Sequence, residues 1–224
     1  MSSGFQSVNN NGTFQVDSKT LTFVLDRVIT ASTIPTNYNH SYAEISYNDG
    51  EIIALRCSDY INLDWAGNGR AIIRGVGKSS ANASVQFTAY IFSNKPSNPA
   101  SGVGLQVFNT SGQCVYYSGD KNLAFAGFVS GHGTFSYVSG RTYAAIFINI
   151  KSEFVTNYFG VQGNMIYVQS RTASYITNAP NGITAAYVAD YSYSTQMRSS
   201  GYYPNDSWSS PACNLAIIDV TGFA

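Results

Sequence analysis

The residues able to do chemistry are few and widely spaced. Two histidines occur, His40 in NYNHSY and His132 in VSGHGTF. Each stands among turn-forming residues, with no second histidine at metal-ligand spacing and no GxSxG-type nucleophile motif beside it. Both are expected as surface or loop histidines without a chemical role. The glutamates are Glu44, Glu51 and Glu153. Glycoside cleavage needs two carboxylates flanking one bond. Glu44 alternates with apolar residues in YAEISY, which places it on the solvent side of a strand, so a catalytic pair would have to come from distant loops. The stretch RGVGKSS starting at Arg74 resembles a phosphate loop until its spacing is checked. That pattern needs a glycine five residues before Gly77, and the residue there is Ile72. No enzyme activity is expected, and no cofactor.

Two further stretches could bind rather than react. SDYINLDWAGNGR brings Asp59, Asn62, Asp64 and Asn68 close together in sequence, all oxygen donors of the kind calcium takes. Their spacing is not that of a helix–loop–helix calcium site, so Asp59, Asn62 and Asp64 form a weak calcium candidate beside the plainer reading of a solvated loop. Trp65 in the same stretch is a candidate core anchor. Further on, Tyr187, Tyr191, Tyr193, Tyr202, Tyr203 and Trp208 stand among Ser, Asn and Gly. Aromatic side chains give much contact area for little lost entropy, and they stack on the apolar face of sugar rings. Tyr191, Tyr193, Tyr202, Tyr203 and Trp208 are therefore candidate binding residues. The competing reading is that alternate tyrosines pack on a sheet and against a neighbouring subunit.

Composition sets what such residues can serve. The 224-residue chain carries 12 basic and 12 acidic residues, a formal net charge of zero. No long-range field is available to gather nucleic acid or an anionic membrane. Charged residues make up 11% of the chain, under half the usual quarter. Solubility must then rest on Asn, Ser, Thr, Gln and the hydroxyls of 17 tyrosines, a mix typical of extended or oligomeric β surfaces. Three cysteines, Cys57, Cys114 and Cys213, show no ligand spacing. No secretory signal is read in MSSGFQSVNNNG, and no apolar run approaches the ~20 residues of a membrane span. A soluble protein made in a cytosol is the expectation.

The elements that must position these residues are written twice. GFQSVNNNGTFQVDS at 4–18 aligns without a gap on GLQVFNTSGQCVYYS at 104–118, keeping Gly4/Gly104, Gln6/Gln106, Asn9/Asn109, Gly12/Gly112 and Ser18/Ser118. Cys114 takes the place of Phe14 and is expected as a small buried apolar residue. Reading Gly119-Asp120 as an insertion sets Lys19, Leu21 and Phe23 on Lys121, Leu123 and Phe125. A third anchor sets Tyr42-Ala43-Glu44-Ile45 on Tyr143-Ala144-Ala145-Ile146. Ordered anchors at a near-constant offset indicate an internal duplication.

Each copy opens as a hairpin whose turn is rich in Asn, Ser and Gly, with Gly12 and Gly112 where positive φ is needed. A second hairpin is predicted in YAEISYNDGEIIALRC, with Ala43, Ile45, Tyr47, Ile53, Leu55 and Cys57 inward and a turn at Asn48-Asp49-Gly50. Further strands are predicted at 71–76, 84–92, 142–150, 165–169, 185–193 and 214–220. No helical period longer than two turns occurs. SNKPSNPASG at 93–102 reads as a linker. The expected fold is all-β, two tandem β-sandwich-like domains at 1–98 and 99–224, the second carrying a Tyr-rich loop insertion at 190–213.

The stretch YIFSNKPSNPASGVGLQVFNTSGQCVYYSGDKNLAF resembles a segment of small structural proteins of tailed bacteriophages, the tail-fibre or tail-tip proteins. The shared features are a strand ending in an aromatic such as Phe92, a Pro-containing link, GLQVFN-x-SG, and an aromatic-hydroxyl end to the hairpin. Relatives often end in Asp-Ser, which the first copy keeps as Asp17-Ser18 while the second has Tyr117-Ser118. The resemblance covers about 35 residues per copy and implies a virion tail protein of β-sandwich domains, made in the host cytoplasm, with no catalytic residues to carry over. It further implies other tail proteins as partners, a trimer or hexamer by tail symmetry, and contact with a host surface glycan or protein. The alternative expectations are a monomeric carbohydrate-binding module and, behind it, a polysaccharide-degrading enzyme.

Overall fold

A computed structural model describes residues 6–8, 14–17, 22–96, 104–161, 164–197, 206–209 and 212–223. The described residues are strands and turns, without an α-helix. The chain opens with the hairpin β1 (Gln6–Val8) and β2 (Phe14–Asp17). There follow β3 (Val24–Ser32), β4 (Ile34–Pro35), β5 (Ser41–Ser46), β6 (Ile52–Cys57), β7 (Tyr60–Gly67), β8 (Arg70–Val76) and β9 (Gln86–Ser93). A second hairpin, β10 (Gln106–Phe108) and β11 (Cys114–Tyr117), opens the second half. It continues through β12 (Phe125–Ser130), β13 (Gly133–Ser136), β14 (Tyr143–Asn149), β15 (Ser152–Val161), β16 (Asn164–Ala179), β17 (Gly182–Met197), β18 (Asp206–Ser209) and β19 (Asn214–Asp219).

Two antiparallel sheets face each other. One has the order β12-β19-β14-β6-β9-β3; the other runs β13-β17-β16-β7-β8-β5-β4, with β15 and β18 continuing outward from β16. Period-two patterning puts one set of apolar side chains between them. From the first sheet come Ile53, Leu55, Cys57, Phe87, Ala89, Ile91, Ala145, Leu215 and Ile217; from the second, Ala43, Ile45, Ile61, Ala71, Ile73, Ile176, Ile183 and Ala185. The predicted inward residues of β5 and β6 are buried as expected, and Gly50 turns between these strands at φ +88°. The six-stranded sheet is also covered on its other face, where Ala54, Tyr90, Phe92, Ala144 and Ile218 pack with Phe23, Leu25, Leu123 and Phe223. Burial on both faces explains the near-continuous apolar runs of β9 and β19.

The duplication is visible in the register. Gln6↔Asp17, Ser7↔Val16 and Val8↔Phe14 in the first hairpin recur 100 residues later as Gln106↔Tyr117, Val107↔Tyr116 and Phe108↔Cys114, with the irregularity at the same place. Cys114 is buried, and Gly112 has φ +76°. In the six-stranded sheet β3-β9-β6 is mirrored by β12-β19-β14, and in the other sheet β5-β8-β7 is mirrored by β13-β17-β16.

Two sequence anchors need correction. The bulge between Leu25 and Arg27 in β3 recurs between Phe125 and Gly127 in β12, still 100 residues on. Leu25 therefore matches Phe125, and Gly119-Asp120 does not shift the frame. Tyr42–Ile45 lies on β5 and Tyr143–Ile146 on β14, in different sheets; β14 corresponds to β6. Any core-facing strand repeats small and apolar residues at period two, so a short word can recur without a shared position.

The halves join edge to edge. Leu55 pairs with Ala145 between β6 and β14, and Ile61 with Ile176 between β7 and β16, all four fully buried. Both sheets and the main core thus cross from one half into the other. The predicted loop insertion also reads differently. Residues 190–197 continue β17, and 206–209 form β18. With β15 and the outer length of β16 they extend the second sheet as a wing.

Candidate functional site

The outer face of the larger sheet carries a cleft of about 380 Å³, lined by Thr36, Tyr38, His40, Tyr42, Asp64, Ile72, Arg74 and Tyr191. Alternation places most of these residues. Ala43 and Ile45 of β5 face the core, so Tyr42 faces out; Ala71 and Ile73 of β8 do the same for Ile72 and Arg74. Tyr38 and His40 lie on the approach to β5. Tyr191 comes from β17, in the other half of the chain.

Beneath the cleft lies a charged network fed by two β-bulges. In β7 the register shifts between Leu63 and Trp65, leaving Asp64 without a strand partner. In β17 the pairs Arg171↔Tyr191 and Thr172↔Ala189 leave Asp190 unpaired in the same way. A bulge re-aims the extra side chain, and both aspartates reach one pair of arginines. The Arg171 guanidinium donates to Asp64 Oδ1 at 2.7 Å and lies 3.7 Å from Asp190 Oδ2. Arg74 Nε is 3.0 Å from Asp64 Oδ2. The Tyr175 hydroxyl donates to Asp190 Oδ2 at 2.7 Å, and Arg171 Nε donates to Ser152 Oγ at 3.2 Å.

His40 completes the network. Its Nε2 is 3.1 Å from an Arg74 N–H and its Nδ1 is 2.8 Å from the Asp190 carbonyl. A guanidinium only donates, so Nε2 accepts and Nδ1–H donates to the carbonyl, which fixes the neutral tautomer. Burial pushes the His40 pKa down and the nearby arginines push the same way, outweighing the Asp190 carbonyl. Burial would raise the Asp64 carboxyl, but Arg171 and Arg74 outweigh it and hold the pKa low. Burial likewise opposes the charge of Arg171, and Asp190 and Asp64 more than restore it. The Tyr175 hydroxyl is pushed well up, first by burial and then by Asp190. Two guanidiniums face two carboxylates, so the floor is neutral overall.

The walls are aromatic. Tyr38 and Tyr42 are 41% and 44% exposed, and the Tyr38 ring lies 4.9 Å from that of Tyr191 and 6.0 Å from His40. From Tyr191 the aromatic surface continues along the wing. Tyr193 lies 6.4 Å from Tyr167, and Tyr167 lies 5.2 Å from Tyr158. With both ring nitrogens of His40 engaged and Asp64 held by two arginines, what the cleft offers is aromatic contact and hydrogen-bonding groups.

Of the residues chosen from sequence, Tyr191 lines the cleft and Tyr193 stands exposed beside it. Tyr202 and Tyr203 lie outside the described residues. Trp208 sits on β18 with its backbone opposite Phe154, and β15 and β16 lie between it and β17. The calcium candidates are not brought together. They belong to a strand and the turn before it, not to a loop: Asp59 accepts from the Lys78 amide, Asn62 is fully buried and donates to the Ser174 carbonyl, and Asp64 is taken by arginine. Among the described residues no group of three or more His, Cys, Asp or Glu is placed to hold a metal. His132 is exposed as expected, whereas His40 is buried, because its loop folds against the β17 bulge. Sequence reasoning missed Tyr38, Tyr42, Arg74, Arg171, Tyr175 and Asp190. The available signal was a lone charge within an otherwise uncharged strand, as in QSRTAS and YVADYS.

No curated protein and no solved structure matches the chain. One family model, described as a family of unknown function (DUF6453), matches residues 62–182, from β7 to the start of β17. That span holds Asp64, Arg74, Arg171 and Tyr175 and stops before Asp190 and Tyr191. The match covers more than half of the sequence, and the chain belongs to the DUF6453 family.

Proposed function

We propose that the chain is a structural protein of a tailed-phage virion, a tail-tip or tail-fibre component that contributes to attachment at the host surface. The observation that carries this reading is the hairpin at GLQVFN-x-SG, which resembles segments of such tail proteins and whose register and irregularity recur in the first copy, which begins GFQSVNNNG. A β module without a unique reactive centre can be duplicated freely, and doing so lengthens the body and adds contact surface. A tail has rotational symmetry, so copies of one chain close into a ring; a trimer or hexamer is the assembly proposed, in contact with other tail proteins. The cleft and the exposed tyrosines of the wing offer the surface for recognition.

The test is made on particles of the phage that encodes the chain. Peptide mass spectrometry should find it in purified virions at a fixed ratio to other tail proteins, and light scattering of the isolated protein should give a trimer or hexamer. Absence from the particle overturns the proposal.

A further inference from the structure

We infer that the cleft and the tyrosine stripe leading from it form a binding track for a neutral polysaccharide, with one sugar ring seated against Tyr38 and Tyr191 over Arg74 and Asp64. The inference deepens the attachment reading and takes its biological purpose from it. Its physical basis is local. The cleft, at about 380 Å³, lies at the small end of the range for ligand sites. Its walls are aromatic faces, which pack on the C–H face of a pyranose, and its floor is a guanidinium–carboxylate pair. That pair offers donors and acceptors side by side, as vicinal hydroxyls require. Arg171 holds Asp64 and His40 holds Arg74, so little ordering cost remains for binding.

Charge selects among polymers. Each guanidinium of the floor is already matched by a carboxylate, which leaves little for a phosphate or a uronate to gain. Single-stranded nucleic acid also stacks on aromatic rings, but it requires a positive groove, and here the groove is neutral. The succession Tyr191, Tyr193, Tyr167 and Tyr158 then supplies contacts for further sugar rings along the chain.

The experiment applies the full chain to an array of neutral and uronate-bearing oligosaccharides of graded length, with single-stranded DNA as a control. Hits are titrated by saturation-transfer NMR. Neutral oligosaccharides should bind. Tyr191→Ala should weaken all of them about tenfold, the loss of one well-placed aromatic contact. Tyr193→Ala, at an exposed position, should weaken only the longer ones. Circular dichroism and the melting temperature confirm that both variants fold. Binding to uronates or DNA alone, no neutral glycan bound, or affinities unmoved by both variants would overturn the assignment. Virion mass spectrometry separates the two readings: a particle protein that binds no glycan keeps the attachment proposal and loses this one, and a glycan binder absent from particles does the reverse.

Discussion

Arg171→Met removes the cation on which both bulge aspartates converge. The Arg171 side chain is 17% exposed, between Asp64 at 18% and Asp190 at zero. Methionine fills much of the same volume without charge. Asp64 keeps Arg74 at 3.0 Å, but Asp190 is left with the Tyr175 hydroxyl and no cation. Breaking a buried pair from one side costs about 3–5 kcal/mol. Because Asp64 stays paired and partly wet, the lower end applies, about 3 kcal/mol. For a chain of this size that corresponds to a melting temperature lower by about 6–12 °C. Urea unfolding followed by circular dichroism measures the loss directly. Adding Asp190→Asn to Arg171→Met removes the orphaned charge and should return about half of it. A loss below about 1 kcal/mol, or a double variant no more stable than the single one, would refute the reasoning that charge pairing holds this seam.

Leu55 packs at the junction opposite Ala145, so Leu55→Ala should cost about 2–5 kcal/mol and unfold both halves in one transition; two separated transitions would contradict the shared core. Glu51 is held down to about 2 by its hydrogen bonds from Arg27, against the opposing effect of burial and with help from Asn48. Its folded pKa lies below the unfolded value, so the stability it contributes is full above about pH 4.5 and is lost as pH falls towards 2. Stability curves of the protein and Glu51→Gln should therefore differ at neutral pH and converge near pH 2. At Gly182 an added Cβ would lie 1.9 Å from the Phe135 carbonyl oxygen. Gly182→Ala should thus loosen the β13–β17 pairing and destabilise by roughly 1–3 kcal/mol, read as faster amide exchange along β13; unchanged exchange would count against that contact.

The amino-acid order alone determined part of the strand set and its inward faces, while β3, β7, β12, β13, β15 and β18 were not legible as strands. The alternation of Ala43, Ile45, Ile53, Leu55 and Cys57, the Gly50 turn, the burial of Cys114 and the doubled hairpin were all legible, since each depends on a backbone repeat of two residues or a turn of three or four. Tertiary structure decided which strands meet. The apparent kinship of Tyr42–Ile45 with Tyr143–Ile146 failed because strands of one pattern present interchangeable apolar faces, and only the sheet assigns them neighbours. It also decided the cleft. His40 and Asp190 stand 150 residues apart, and the bulges that aim Asp64 and Asp190 arise from register against partner strands. Neither strand carries a local mark of that register, so the charges and tyrosines of the site become a site only when the two halves close their sheets.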